Sequence, residues 1–338
     1  MSAVVHGGAP RGWLEFSANL APHGTPPAVR EAVRLATYGA YADVDPAEAE
    51  RHLANDAGVD PASVLLVAGA SEALRLVADA FVEPGAAAIA LGPTYGEYER
   101  LVALRGATWH EIRAECPSFA PPVAEWVRAL ETARYAVAFV CDPNNPTAVP
   151  CGLDAIASVP PSTHLVIDQS FAPFAAGATP LEALLARPNT IVVRSLTKRL
   201  AVPGLRVGYV VAAPAVLDRL RAVRDPWPVS AHACAAAAVA RWRLEASERG
   251  DLIAWRDALV SDLRDLGLVV TPSDAPFVLA QIGGRAERVV RELAERRIAV
   301  RWCDSFGLPE HVRLAVRPPD EQRHLLSALR ATLAPVTP

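Results

Sequence analysis

A lysine, Lys198, stands three residues after Ser195 and eight before Arg206, in a run that reads Arg194-Ser195-Leu196-Thr197-Lys198 and then Val202-Pro203-Gly204-Leu205-Arg206. An amine held in a partly desolvated cleft beside other cations gives up its proton more readily and can act as an imine-forming nucleophile. Ser195 and Arg206 are spaced to bind an anionic group on whatever Lys198 holds. Thirty residues upstream, Asp168 closes the apolar run Leu165-Val166-Ile167. A carboxylate at the end of a buried strand is unfavourable without a positive or hydrogen-bonding partner, so one is expected beside it. Taken singly, the lysine segment also fits a solvated turn and Asp168 a structural acid bonded to backbone.

Several elements must place these groups. Apolar, β-rich runs flank the lysine segment, Val192-Val193 before it and Val207 to Ala212 after it, which puts Lys198 on a loop just past a buried strand. Val64 to Val67 reads as another strand, leading through Gly69, Ala70 and Ser71 into a helix that continues to Phe81. The unpaired N–H groups and dipole at such a helix start favour a phosphate, although Ser71 with Glu72 also reads as an ordinary N-cap. Strands are expected over 87–91, 135–141 and from Thr190. The turn Pro93-Thr94-Tyr95 follows the first of these and the stiff turn Asp142-Pro143-Asn144-Asn145-Pro146 the second. This β/α alternation from Val64 to Val211 predicts an α/β fold with a mostly parallel sheet between helices.

The chain opens with a proline-rich arm containing His6-Gly7-Gly8 and Glu15-Phe16-Ser17-Ala18-Asn19, followed by helices over 28–35 and 46–57 with Tyr38 and Tyr41 in the turn between them. Asp225 to Ser230 holds two prolines around Trp227 and reads as a lobe boundary, before a long alanine-rich helix from Ala231. An amphipathic helix over 251–266, strands near 269, 277–282, 298–302 and 312–316, and helices near Glu287 and Asp320 make up a smaller α+β lobe. The expected division is an arm over 1–30 joining the small lobe, a large lobe over 31–225 and the small lobe over 226–338. Arg313 and Arg317 fall two-residue steps apart on a strand and should share a face.

At 338 residues and 51% hydrophobic, the chain can bury a sizeable core. Its formal charge of −4 and lack of a dense basic block leave no electrostatic footprint for nucleic acid, while small anions remain suitable ligands. No long uncharged apolar run and no basic start followed by an apolar stretch are present, so no membrane association and a cytoplasmic location are expected. Five cysteines, Cys116, Cys141, Cys151, Cys234 and Cys303, lack close C-x-x-C spacing and read as thiols, not as a disulfide framework or metal site. There is neither a G-x-G-x-x-G nor a G-x-x-x-x-G-K-[ST] loop to suggest a dinucleotide or nucleotide site.

Ser-x-x-Lys, then Arg206 two residues before Gly208-Tyr209, resembles the cofactor-lysine segment of fold-type I pyridoxal-phosphate (PLP) enzymes. The wording from Arg194 to Tyr209 is most similar to threonine-phosphate decarboxylase, a relative of histidinol-phosphate aminotransferase, and the resemblance spans nearly the whole chain. It implies an aminotransferase-like three-layer sandwich, PLP as cofactor, and a homodimer with shared active sites. It further implies that Lys198 carries the cofactor, that Asp168 keeps the ring nitrogen charged, that Tyr95 lies against the ring, and that Asn145 donates to the 3′ oxygen. Gly69, Ala70, Ser71, Ser195 and Arg206 would hold the cofactor phosphate, with Tyr41 reaching that of the neighbouring subunit. Arg313 would grip the substrate carboxylate as a fork, Arg317 a second anionic group, His6 a substrate phosphate, and Asn19 another part of the substrate.

Departures from the family pattern are Ala68 in the phosphate loop, Ala148 after the Asn-Asn-Pro-Thr turn, and Gln169 and Phe171 where aminotransferases carry Glu and Tyr. Phenylalanine at the last position also occurs in threonine-phosphate decarboxylases and favours that branch. The activity implied first is therefore decarboxylation of L-threonine O-3-phosphate to aminopropanol phosphate, as in cobalamin side-chain synthesis. A histidinol-phosphate-type or specialised amino-acid aminotransferase is the alternative. A non-catalytic PLP-fold binding protein is the third reading, and retention of Lys198, Asp168, Asn145 and Arg206 speaks against it.

Overall fold

The structure, a computed structural model, describes residues 7–42, 46–177 and 179–334. The arm contributes a two-residue strand, Leu14–Glu15 (β1). Seven strands build the main sheet: Val64–Val67 (β2), Ala87–Gly92 (β3), Thr108–Arg113 (β4), Val137–Cys141 (β5), His164–Asp168 (β6), Thr190–Ser195 (β7) and Gly208–Ala212 (β8). Their spatial order is β2-β8-β7-β6-β5-β3-β4. β8 runs antiparallel to both of its neighbours, β2 and β7, and the remaining pairs are parallel. The parallel strands therefore all finish at one edge of the sheet, and β8 starts there. Arg206, just ahead of β8, is brought to the same edge as the residues that follow the other strands.

Both faces of this sheet are covered, which explains why its strands are almost continuously apolar. Leu66, Ile89, Val140 and Ile167 pack on one face with Val29, Leu53 and Trp126 from helices Pro27–Leu35, Ala47–Ala57 and Val123–Thr132. Leu65, Ala90, Phe139 and Val166 pack on the other with Leu74 and Leu217 from helices Ala70–Phe81 and Pro214–Ala222. β4 is the exception: as an edge strand it pairs with β3 alone and alternates half-buried Trp109 and Glu111 with exposed Thr108 and His110.

The smaller lobe holds Val269–Val270 (β9), Phe277–Gln281 (β10), Ile298–Ala299 (β11), Arg301–Trp302 (β12) and His311–Ala315 (β13). β9, β10, β12 and β13 form an antiparallel sheet in the order β12-β13-β10-β9. β1 pairs in parallel with β11, Leu14 opposite Ile298, and Phe16 is fully buried among Leu259, Val278, Val289 and Leu325. The arm is thus part of the small lobe's core, far in sequence from the rest of it.

The alanine-rich segment forms only a seven-residue helix, Ala231–Ala237, not the long one its composition suggests. Its small side chains let it lie close against the helices Pro27–Leu35 and Ala47–Ala57, and Val229, Ala233, Ala236 and Trp242 are buried in the same apolar cluster. The chain past the Pro-Trp-Pro break thus still contributes to this cluster as far as Trp242. The following helix starts earlier than its amphipathic pattern indicates, at Ala246, because Glu245 and Glu248 form a reciprocal capping box. Among the described residues no helix is long and apolar enough to cross a membrane, and none of the five cysteines is in a disulfide.

Gly208 opens β8 so close to other backbone that a Cβ there would lie 2.7 Å from the Arg194 carbonyl oxygen and 3.2 Å from the Ala70 nitrogen. Gly208→Ala is expected to destabilise the fold by about 1–3 kcal/mol, seen as a lower urea midpoint with an unchanged m-value.

Candidate active site

A cavity of about 360 Å³ opens at the edge where the parallel strands end, between the two lobes. Its large-lobe wall contains Ala70, Ser71, Tyr95, Asn145, Asp168, Ser195, Lys198 and Arg206; Arg301 and Arg313 come from the small lobe and Asn19 from the arm. Gly69 directly precedes this wall as the cap of the Ala70–Phe81 helix.

Lys198 lies in the short helix Leu196–Arg199 that follows β7 at once. Its backbone is tied from both sides. The carbonyl of Lys198 accepts from Ala21 N of the arm at 2.9 Å, and the buried neighbour Arg199 pairs with Glu248 at 2.9 Å and donates to the Arg243 carbonyl. Desolvation first, then the nearby guanidinium groups of Arg313 and Arg206, lower the amine's pKa to about 8, against the opposing pull of Asp168.

Asp168 ends β6 and is buried. Ser170 N donates to its Oδ1 at 2.9 Å and the Tyr98 hydroxyl to its Oδ2 at 2.8 Å. Tyr98 is itself held flat against Phe139, ring centroids 5.0 Å apart at 8°. Burial raises the carboxyl's pKa, while the bonds from Ser170 and Tyr98 and the charge of Lys198 oppose that shift.

At the helix start, Gly69 adopts φ +81°, and a Cβ on it would lie 2.8 Å from Arg206 Nη2. Only glycine lets the guanidinium approach this closely. Arg206 is itself in the left-handed region at φ +53°, a conformation costing a non-glycine residue about 1–2 kcal/mol, and its Nη2 lies 3.5 Å from Ser71 Oγ. Across the cup, Ser195 Oγ and Thr197 Oγ1 share a hydrogen bond of 2.7 Å. Burial and the charge of Glu97 push the Tyr95 hydroxyl up to about 12, with a bond to Ser71 acting the other way. The turn holding Asn145 is fixed by Asn144, which donates to the Pro93 carbonyl and to Thr147 Oγ1, each at 2.9 Å.

Arg313 is buried on β13. It donates to Asn145 Oδ1 and, at 2.8 Å, to the Ser17 carbonyl. Its partner across the strand pair is Arg301 on β12, also buried. Desolvation lowers the pKa of both, that of Arg313 to about 10. Like charges directly opposite on neighbouring strands repel, and neither arginine forms an ion pair among the described residues. Arg301 was not evident from sequence, where 298–302 reads only as a strand; two arginines in short apolar strands of one lobe were the available signal. Tyr98 was likewise missed.

Two expected site residues lie elsewhere, and a third is not among the described residues. Arg317 is not in the cavity wall: β13 ends at Ala315, so the two-residue repeat no longer applies, and its guanidinium grips Glu321 through Nε at 2.9 Å and Nη2 at 3.1 Å. Tyr41 is 82% exposed and stacked on Trp227, centroids 4.8 Å apart, away from this chain's own cavity. His6 falls outside the described residues, although Gly7 next to it lines the cavity.

A half-buried amine of lowered pKa, a buried acid, and a cup of helix N–H groups, hydroxyls and a guanidinium fit an aldehyde cofactor carrying a phosphate and a basic ring nitrogen. Two buried polar atoms in the wall, Asn19 Oδ1 and Arg313 Nε, have no hydrogen-bond partner and so suit a further polar ligand. The sequence signature of the aminotransferase class I and II family matches residues 11–329. The chain belongs to that family. It is a pyridoxal-phosphate-dependent enzyme of fold type I.

Relatives include the histidinol-phosphate aminotransferase of Symbiobacterium thermophilum, 35% identical over 287 residues, 81% of this chain and 77% of that protein. Histidinol-phosphate aminotransferase 2 of Pseudomonas aeruginosa is 31% identical over 348 residues, 96% of this chain and 90% of that one. Among solved structures, the histidinol-phosphate aminotransferase of Sinorhizobium meliloti in complex with pyridoxal-5′-phosphate superposes with a TM-score of 0.84 at 23% identity, covering 94% of this chain and 89% of that one. The same fold recurs in the Clostridium acetobutylicum enzyme, TM-score 0.85 at 20% identity, covering 95% and 99%.

In cofactor-free protein, the Lys198 amine is expected to titrate near pH 8, so pyridoxal phosphate should associate faster as pH rises through that value and level off above it. Neighbouring cations disfavour the ammonium form, so Arg313→Met should move this midpoint upward. Stopped-flow absorbance against pH measures both.

Proposed function

We propose that this enzyme is an aminotransferase of the histidinol-phosphate type, which takes the amino group from a donor carrying a phosphate and passes it to a 2-oxo acid. The observation that carries this reading is the facing pair Arg301 and Arg313. Two buried guanidinium groups without an ion-pair partner among the described residues suit a doubly charged phosphate or a carboxylate pair, and the relatives' names favour the former. The same pair would receive the dicarboxylate in the second half of the exchange.

When bound, pyridoxal phosphate supplies an electron sink for the carbon that loses a proton. In our reading Lys198 Nζ would hold the cofactor aldehyde and, when free, would carry the proton of the donor's amine-bearing carbon. Its lowered pKa leaves a usable fraction of neutral amine near neutral pH. Asp168 keeps the ring nitrogen protonated, with Tyr98 and Ser170 fixing the carboxylate. Tyr95, which lines the cavity, would lie against the ring and exclude water, a contact that contributes on the order of 1 kcal/mol. Asn145 would donate to the 3′ oxygen; the helix start at Gly69, Ala70 and Ser71, with Ser195 and Arg206, would hold the phosphate. Asn19 faces the donor.

Exposed Tyr41 on Trp227 and the 85%-exposed Tyr38 on His232 suit burial against a second copy of the chain, from which Tyr41 would reach the partner's cofactor phosphate. Decarboxylation of threonine phosphate stays as a second reading on one observation: Phe171, buried in the cavity wall and edge-on to Phe277 at 4.9 Å, has no hydroxyl to offer the 3′ oxygen.

Incubation with histidinol phosphate plus 2-oxoglutarate should yield glutamate, and O-phospho-threonine should release no CO2; the reverse result replaces the first reading with the second. Arg301→Met should raise KM for the phosphorylated donor by about 10²-fold, as expected for one lost charge-assisted contact in a buried site, with little change for histidinol, which lacks the phosphate.

A further inference from the structure

Edge strand β4 ends in a side chain that crosses to the other lobe. Arg113 Nη2 donates to the Phe306 carbonyl oxygen at 2.7 Å, and Nη1 bonds the carboxylate of Glu111 two residues earlier on the same face. Glu111 lies flat over Gly92, where any Cβ would overlap its carboxylate. Gly92 is the end of β3, three residues ahead of Tyr95. The guanidinium is thus anchored to the large-lobe wall of the cavity.

On the small-lobe side it meets the turn Asp304–Phe306. Ser305 Oγ accepts from Arg301 Nη2 at 2.6 Å, and the Phe306 ring lies against the Arg301 guanidinium, 5.4 Å from carbon to centroid. Gly307 closes the turn at φ +69°, and a Cβ on it would come 3.0 Å from Arg113 Nη2. The turn is shaped around the arginine. Arg113 does not line the cavity, and Glu111 offsets its charge, so it acts on a cavity anion through geometry far more than through long-range attraction.

We infer that Arg113 is a positioning residue, an inter-lobe clasp that fixes the 304–307 turn and thereby aims Arg301 at an anionic group of the donor. This rests on the assignment of Arg301 to the donor's phosphate. Without the clasp, the Phe306 carbonyl loses a charge-assisted bond and Ser305 and Phe306 are released to other positions, leaving Arg301 without a fixed direction.

The test uses holoenzyme, whose cofactor phosphate cup is filled, and inorganic phosphate as the probe in isothermal titration calorimetry. Arg113→Met is expected to weaken phosphate binding by about tenfold, to raise KM for the phosphorylated donor by a like factor, and to change kcat less than about twofold. KM for the donor analogue lacking phosphate and the absorbance of the lysine-bound cofactor should not change, and Arg113→Lys should restore much of the affinity. Gly307→Ala, which presses on the same contact from the turn, is the second variant if Arg113→Met does not fold. Equal phosphate affinity in wild type and variants, or no phosphate binding by wild type, overturns the inference. Weaker phosphate binding in the variants of an enzyme that does not turn over the phosphorylated donor would leave the clasp standing and remove the donor assignment.

Discussion

Like charges are gathered in one poorly solvated place here, and much of the architecture follows from that. Lys198, Arg313 and Arg301 line one cavity with Arg206 at its rim, and burial lowers the proton affinity of the first three. Such a cluster is unfavourable in itself and becomes favourable only with anions among it. The chain keeps it in place with neutral and anionic supports set back from the centre. Asn145 and the Ser17 carbonyl accept from Arg313, Ser305 from Arg301, and Glu248 holds the arginine next to Lys198. Each support is on a different element, so the sheet order, the arm and the small lobe must all be correct before the cluster can exist.

The arm shows how local chemistry serves this. Glu15 accepts from Ser17 N at 2.6 Å and from Ala18 N at 3.0 Å, which bends the chain so that the Ser17 carbonyl faces Arg313. The pairing of β1 with β11 and the burial of Phe16 fix the same stretch from the other side. A segment with little regular secondary structure thereby becomes a wall of the cavity.

Much of the fold was legible because the main sheet is covered on both faces, so β2, β3, β5, β6, β7 and β8 appear as apolar runs punctuated by turns. β4 was not, since an edge strand with one exposed face carries Thr, His, Glu and Arg between its apolar residues. Asp168 ends an apolar strand and Lys198 and Asn145 follow shortly after two others, where strand ends converge in a parallel sheet, and the resemblance of their segments to a known family supplied their roles. Arg301 could not, because β12 is two residues long and its pairing opposite Arg313 depends on a contact between strands remote from any local pattern. Arg317 misled for the converse reason. A period of two holds only while the strand lasts, and Pro318 follows just after this one has ended.

The reversal of β8 carries a mechanical consequence. Because β7 and β8 pair directly, the amine at Lys198 and the guanidinium at Arg206 both belong to the connection between two paired strands, with the Gly69 helix start beside them just after β2. The small-lobe arginines sit in the other sheet. Any rotation of one lobe against the other therefore changes the distance from Arg301 and Arg313 to Lys198 while Lys198, Arg206 and the Gly69 helix start keep their mutual geometry.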